Sequence, residues 1–287
     1  NVTLVGNRDM VAAMRKGLGI TRDFQVIDPA QAEWLEEFTQ TYYELRKAKG
    51  MTADKARATM LEPIPHGIMM LAKGRADGLV AGAIHSTSDT LRPALQILRS
   101  PRVLVSSFFF MTCNEQTYLF ADCAIVENPN SHQLAEIALS TARSALSFGI
   151  EPYVAMLSYS TKGSAKSELT EKVVEATQIA QARLPLEFGP DSSVVIDGEL
   201  QLDAALVESV GARKAPGSPV SGKARVLIFP DINAANIGYK LLQRLGGAKA
   251  YGPILQGISP PVNDLSRGCS AEDIVGVAAV TVVQSQM

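Results

Sequence analysis

The sequence predicts an α/β fold, and three observations predict it. Short apolar runs alternate with longer amphipathic stretches along almost the whole chain. That alternation requires crossover connections and gives a largely parallel sheet with helices on both faces. Hydrophobic residues make up 46% of the 287 and charged residues 20%, enough apolar surface for a sizeable core and too little charge for disorder. The length suits one large or two moderate domains. No repeat or low-complexity segment appears, and the only linker-like stretch is Lys214-Ala215-Pro216-Gly217-Ser218-Pro219.

Taken in order, Val2–Val5 is a first strand and Arg8–Lys16 a helix with two basic residues in its last turn. Phe24–Ile27 is the next strand. The long pattern Gln31–Lys49 reads as a helix; basic residues in a last turn are favoured by the helix dipole, which accounts for Lys47 and Lys49, and for Arg46 only if nothing else needs it. Gly78–Ala83 is a buried strand followed by the helix Thr87–Leu98. Val103–Phe110 and Tyr118–Ala121 are strands rich in aromatic and β-branched residues. In the helix Ser131–Phe148, Leu134, Ile137, Ala138, Ala142, Ala145 and Leu146 recur at three- and four-residue steps as one buried stripe. Gly149 ends that helix, where a residue without Cβ takes the left-handed conformation at little cost. Val154–Leu157, the helix Ser167–Arg183, Val194–Ile196, the helix Ala204–Val210, Arg225–Phe229 and the helix Ala234–Leu245 complete the alternation.

Composition removes several function classes. Lys+Arg 27 against Asp+Glu 29 gives −2, with no electrostatic footprint for nucleic acid or an anionic membrane. The longest apolar run, Ile274–Val283, contains Gly276 and Thr281 and is far too short for a membrane span. The opening Asn1–Gly6 does not read as a signal peptide. Three cysteines (Cys113, Cys123, Cys269) and three histidines (His66, His85, His132) are widely spaced, so no zinc or iron–sulfur motif is predicted and no metal is expected. Free thiols in odd number fit a cytoplasmic protein.

Sheets of this class bind ligands beyond the carboxyl ends of their strands, and four segments sit at such places. Gly78–Pro93 runs from a strand into His85-Ser86-Thr87 and a helix bearing Arg92; small hydroxyls and backbone N–H groups there make either an anion site or plain N-caps. Met156–Ser167 resembles a phosphate cradle in composition but lacks Walker spacing, and reads equally as a solvated loop. Phe229–Lys240 holds Asp231, Asn233 and Asn236; Asp231 or Asn233 suffices as a cap, and the three together at a strand exit hint at ligand contact. Gly252–Val275 holds Ser266, Arg267 and Asp273, with Ser270-x-x-Asp273 forming a capping-box pattern that explains Asp273 structurally.

Pro261-Val262-Asn263-Asp264-Leu265-Ser266-Arg267-Gly268-Cys269-Ser270, preceded by Gly252-Pro253-Ile254-Leu255-Gln256-Gly257, resembles the C-terminal signature of the phosphate acetyltransferase (phosphotransacetylase) family. The resemblance extends in order through His85-Ser86-Thr87 with Arg92-Pro93, Leu119–Ile125, Ser158–Ser164 and Ile196–Ala205, and so covers nearly the whole chain. Members usually begin with another strand–helix unit before a segment like Val2–Gly6, so the start of this chain is expected to be truncated. The stretch Leu98–Val103 is also shorter than the family's loop.

The resemblance implies a two-domain fold like that of isocitrate and isopropylmalate dehydrogenases. Domain I would comprise 1–107 plus 249–287 and domain II 108–248, with the active site in the cleft between them and a homodimer as the usual assembly. It implies reversible acetyl transfer between acetyl-CoA and inorganic phosphate, giving acetyl phosphate and CoA. CoA is a substrate, no further cofactor is needed, and its thiol attacks directly without an acyl-enzyme. By the same resemblance Asp273 matches the proposed base for the thiol. Arg267 and Arg92 lie near acetyl phosphate, and Arg46 is a third functional arginine. Ser266 either orients the thiol or donates to the oxyanion. Ser86, Thr87, Asn263, Lys162 and Ser164 are expected to contact substrate. Cys123 and Cys269 are expected to be packing residues, since direct attack needs no enzyme thiol. Two alternatives share the resemblance: a phosphate butyryltransferase, and the regulatory phosphotransacetylase-like domain of malic enzymes, which tends to lose the Asn-Asp-Leu-Ser-Arg-Gly string intact here at 263–268.

Overall fold

The computed structural model describes residues 1–98 and 103–287; the short loop noted at Leu98–Val103 lies for the most part outside the described residues. Two compact units result, one made of 1–98 with Ile258–Gln286, the other of 103–257.

In the first unit β1 (Thr3–Val5) is followed by α1 (Arg8–Gly17) and pairs in parallel with β2 (Gln25–Ile27). The expected helix over Gln31–Lys49 is broken. It consists of a 3-10 turn at Pro29–Gln31, α2 (Leu35–Arg46) and a second 3-10 turn at Lys47–Lys49 that ends on Gly50 in the left-handed region, φ 83°. Two helices escape the periodicity reading: α3 (Ala53–Met60) and α4 (Pro63–Ala72). The second is buried from Ile64 to Leu71, so it shows no polar face, and its Pro63 and Pro65 lie in the first turn where a missing N–H costs little. β3 (Leu79–Ala81) leads to α5 (Thr87–Ile97), and β10 (Val262–Asp264), near the far end of the sequence, pairs with β3 in parallel before α11 (Ala271–Gln284).

The core of this unit gathers Leu35, Phe38 and Tyr42 of α2, Ala56 and Met60 of α3, and Met69 and Met70 of α4. His66 is sealed among them, its ring 4.9 Å from that of Phe38. Its Nδ1 lies 3.0 Å from the Met60 carbonyl, a donor bond for the neutral ring, and its Nε2 has no partner. Burial pushes this imidazole below its ordinary 6.5, against the Met60 contact. The unfolded chain therefore takes up a proton near pH 6.5 that the folded one refuses, and stability falls as pH drops below that value. Urea midpoints at about pH 7.5 and about pH 5.5 should differ more for the natural chain than for His66→Gln; an equal difference would remove His66 as the cause.

The second unit is built on a six-stranded sheet in the order β7-β6-β8-β5-β4-β9. Its strands are β4 (Ser106–Cys113), β5 (Gln116–Ala121), β6 (Tyr153–Leu157), β7 (Val195–Leu200), β8 (Val226–Ile228) and β9 (Lys249–Gln256). Between them run α6 (Ser131–Ser147), α7 (Glu168–Phe188), α8 (Leu202–Leu206), α9 (Glu208–Lys214) and α10 (Ile232–Arg244). Successive side chains of β4 show the two covered faces. Phe108 and Phe110 pack edge-on against Phe148 at the end of α6, whereas Phe109 stacks on Tyr239 of α10 at 4.3 Å.

The sheet is mixed, because β4 runs antiparallel to both β5 and β9. The cause is a two-residue hairpin at Asn114 and Glu115, both in the left-handed region with φ 50° and 63°, as a type I′ turn demands. The chain also divides at different points from those the resemblance implied. β4 begins before residue 108, and β9, assigned with 249–287 to domain I, is an edge strand of the second unit's sheet. An edge position tolerates Pro253, which has no N–H to donate.

Candidate active site

The β3–β10 pair places two of the four segments side by side. Asp264 stands opposite Ala81 in register, so the turn leading to α5 and the turn leading to α11 leave the same end of neighbouring parallel strands, as ligand-binding turns do in α/β sheets. Gly82 shows how closely they approach. Its φ is +110°, and a Cβ there would fall 2.1 Å from Asp264 Oδ1 and 2.7 Å from the Leu265 nitrogen. Gly82→Ala is expected to destabilise the first unit by about 3 kcal/mol or more, since steric overlap adds to an unfavourable φ. An unchanged thermal midpoint would refute the close approach.

On the α5 side, Ser86 is the N-cap. Its N–H and Oγ–H both donate to the Asp89 carboxylate, at 3.0 and 2.7 Å, and this holds Asp89 below the usual carboxylate range. Thr87 opens the helix and Arg92 lies exposed one turn later. On the β10 side, Ser266 and Arg267 are exposed. The Ser266 Oγ accepts from the Gly268 N–H at 3.3 Å, and its carbonyl accepts from Cys269 at 2.9 Å, which leaves the hydroxyl proton to donate elsewhere. Asp273 is half-buried in the first turn of α11. The capping box is present: Asp273 Oδ2 accepts from the Ser270 N–H at 2.8 Å and Ser270 Oγ accepts from the Asp273 N–H at 3.2 Å. Oδ1 has no partner among the described residues.

Arg46 is the last residue of α2. Its Nε is buried with no hydrogen-bond partner, a costly arrangement unless a ligand supplies one. One turn earlier, Tyr42 donates its hydroxyl to Gln96 of α5 at 2.6 Å, so Arg46 and Arg92 each lie one turn from the contact between their helices. Arg15, Arg57, Arg75, Arg143, Arg183 and Arg225 are in ion pairs. Arg46, Arg92 and Arg267 are not, among the described residues. An unpaired arginine alone is not diagnostic, for Arg22 and Arg244 are unpaired too. What distinguishes the three is their place on α2, α5 and the turn before α11, with one guanidinium nitrogen sealed from water.

Asn263 is fully buried and its amide donates to Thr281 Oγ1 at 2.8 Å and Gln284 Oε1 at 2.6 Å, so it anchors α11, and with it Asp273, onto β10. Lys162 and Ser164 belong to the second unit. Lys162, at φ 48°, puts Nζ 2.5 Å from Asp197 Oδ1 and 2.8 Å from the Gly198 carbonyl. Glu199 accepts from the Gly163 N–H and the Ser160 hydroxyl, both at 2.8 Å, and Ser164 Oγ accepts from the Thr161 N–H at 3.0 Å. Lys162 Nζ, the Gly163 N–H and the Ser160 hydroxyl are thus held by two buried carboxylates, and Ile196–Ala205 braces the loop. In the same unit Asp122 accepts backbone N–H bonds from Ala124, Ile125 and Val126 at 3.0 to 3.2 Å, so this part of the Leu119–Ile125 string shapes its own turn.

Burial pushes the thiols of Cys123 and Cys269 up, and the Asp122 and Asp273 carboxylates push in the same direction. Neither is set up as a nucleophile. Reading by segment missed Asp264 and Gly82, which lie inside quoted strings. The available signal was a carboxylate at the end of an apolar strand opposite a strand-end glycine.

Residues 1–282 match the family model described as phosphate acetyl/butaryl transferase. The chain belongs to that family. It is 53% identical to a phosphate acetyltransferase of Acetivibrio thermocellus over 99% of this chain and 86% of the relative. It is 48% identical to a phosphate acetyltransferase of Bacillus subtilis, over 99% of this chain and 87% of the relative. Its fold is similar to that of a phosphotransacetylase from Streptococcus pyogenes, with TM-score 0.88 at 44% identity, covering 98% of this chain and 85% of that one. As a member of the phosphate acetyl/butyryl transferase family the chain is an acyltransferase. Among the described residues no helix is long and apolar enough to cross a membrane.

Proposed function

We propose that the chain transfers an acetyl group reversibly between acetyl-CoA and inorganic phosphate, by direct attack of the CoA thiolate on acetyl phosphate. The observation that carries this reading is the half-buried Arg46, its Nε without a partner, on a helix in contact with α5, together with unpaired Arg92 and Arg267 on the elements beyond β3 and β10. Bidentate guanidinium groups match the oxygens of a phosphoryl group better than an ammonium does. The α5 N-terminus, opened by Thr87, adds backbone donors for the same anion.

A thiol of pKa roughly 8.5 is mostly protonated at neutral pH. Asp273, with Oδ2 held by its cap and Oδ1 available, takes the thiol proton as the sulfur attacks the carbonyl carbon. The Ser266 hydroxyl donates to the oxyanion that develops there. With the carbon–sulfur bond made, the oxyanion collapses, the carbon–oxygen bond to phosphate breaks, and phosphate leaves against the arginines. CoA is a substrate, and the chemistry asks for no other cofactor or metal. The enzyme is read as a cytoplasmic homodimer, as the family resemblance implies; size-exclusion chromatography tests the assembly.

The names of the relatives favour acetyl over butyryl transfer, and the intact string at 263–268 speaks against a non-catalytic module. The test is thioester formation from CoA with acetyl phosphate and with butyryl phosphate, followed by ultraviolet absorbance. Acetyl transfer at least tenfold faster is expected. Faster butyryl transfer would make the chain a phosphate butyryltransferase, and no transfer by the folded protein would overturn the enzymatic reading.

A further inference from the structure

Asp264 closes β10, two residues before Ser266. Its side chain is fully buried and neither carboxyl oxygen makes a hydrogen bond of normal geometry among the described residues; Thr90, equally buried, leaves its hydroxyl without such a bond as well. An acid buried this way is costly, so its retention between two ligand-facing turns needs a reason. The surroundings supply one. On one side Oδ1 rests where a Cβ on Gly82 would be. On the other lie Thr87 and Thr90, three residues apart on one face of α5, whose hydroxyls act on the carboxyl.

We propose that Asp264 is a positioning residue for acetyl transfer, a neutral acid group that spaces the Ser86–Thr87 turn from the Ser266–Arg267 turn; this rests on the phosphate acetyltransferase reading above. A carboxylate sealed from water without a well-formed bond on either oxygen is far costlier than the neutral acid, which brings no net charge out of solvent. Burial pushes the Asp264 carboxyl above the usual carboxylate range; Thr87, Thr90 and the Leu265 N–H pull the other way, and Asp89 adds to the upward push. The titratable groups around it are Asp89 on α5, which has His85 and Arg92 beside it, and Cys269 before α11, whose thiol Asp264 helps to raise.

The experiment compares Asp264→Asn with Asp264→Ala in thioester formation from acetyl phosphate and CoA, with thermal midpoints for both. It adds the infrared difference spectrum between the natural chain and Asp264→Asn. Asparagine keeps shape, neutrality and a donor, and is expected to hold kcat within about threefold of the natural chain. Alanine removes the spacer and is expected to lower kcat by about a hundredfold, as small misplacements of reacting groups do. The carbonyl stretch of a protonated carboxylic acid should be present in the natural chain and missing from Asp264→Asn. Loss of activity in both variants with no acid band would overturn the neutral-acid role. An alanine variant as active as the natural chain would overturn positioning altogether. If Asp264→Ala does not fold, the asparagine kinetics and the infrared band decide. Failure of the natural chain itself to form thioester would instead sink the acetyltransferase reading, before any variant is compared.

Discussion

Arg267→Ala is expected to lower kcat for acetyl transfer by about 10²- to 10³-fold, the usual loss when one donor to a developing anion is removed from a preorganised site. The same change should leave the thermal midpoint nearly untouched. Arg267 is exposed, stands in a turn and makes no ion pair among the described residues, and surface substitutions of that kind stay within about 0.5 kcal/mol. Separation of activity from stability makes the test sharp. Arg267→Lys should recover only a small part, because an ammonium on a flexible stem cannot present two parallel donors to phosphate oxygens. Turnover close to that of the natural chain in the alanine variant would take Arg267 out of the mechanism and leave its solvent exposure as the whole of its story.

Asp273→Asn should lower kcat by about 10²- to 10⁴-fold, the range that general-base catalysis supplies, while changing the Michaelis constant for CoA much less. Here the structural role must be separated from the chemical one, since the capping box is real. Asparagine can still accept the Ser270 N–H through its amide oxygen but cannot take a thiol proton. Ser270→Ala does the reverse: it removes a cap worth about 1 kcal/mol and leaves the carboxylate in place. The expected pattern is a lowered thermal midpoint with preserved kcat for Ser270→Ala, and a preserved midpoint with lost kcat for Asp273→Asn. Preserved turnover in Asp273→Asn, with a midpoint lowered as far as in Ser270→Ala, would leave capping as the only function of Asp273.

Particular elements show what could be read along the chain. The helix Ser131–Phe148 was legible to within a residue because its apolar stripe, its cap and Gly149 are all local signals; the observed α6 is Ser131–Ser147, followed by Gly149 at φ 67°. α4 was not, because a helix buried on every side has no polar face to mark its period. The β4–β5 hairpin was missed because its turn is Asn-Glu rather than Asn-Gly, and only the positive φ of both residues reveals it.

The site divides in the same way. Ser266, Arg267 and Asp273 lie within eight positions, and their chemistry is legible from residue type together with a resemblance to known strings. Asn263 sits in the same string, yet it turns inward to Thr281 and Gln284. Lys162 has the composition of an anion ligand and is instead held by Asp197.

By itself the sequence determined the α/β class, most of the helices and the chemical types available at the strand ends, because periodicity, capping and chemical type are properties of neighbours along the chain. Only the tertiary structure decided which of those side chains face outward together. That outcome depends on pairing β3 with β10 across more than 180 residues and on the burial that leaves Arg46 and Asp264 without ordinary partners. Contacts between distant segments are set by packing of the whole, and no local pattern encodes them.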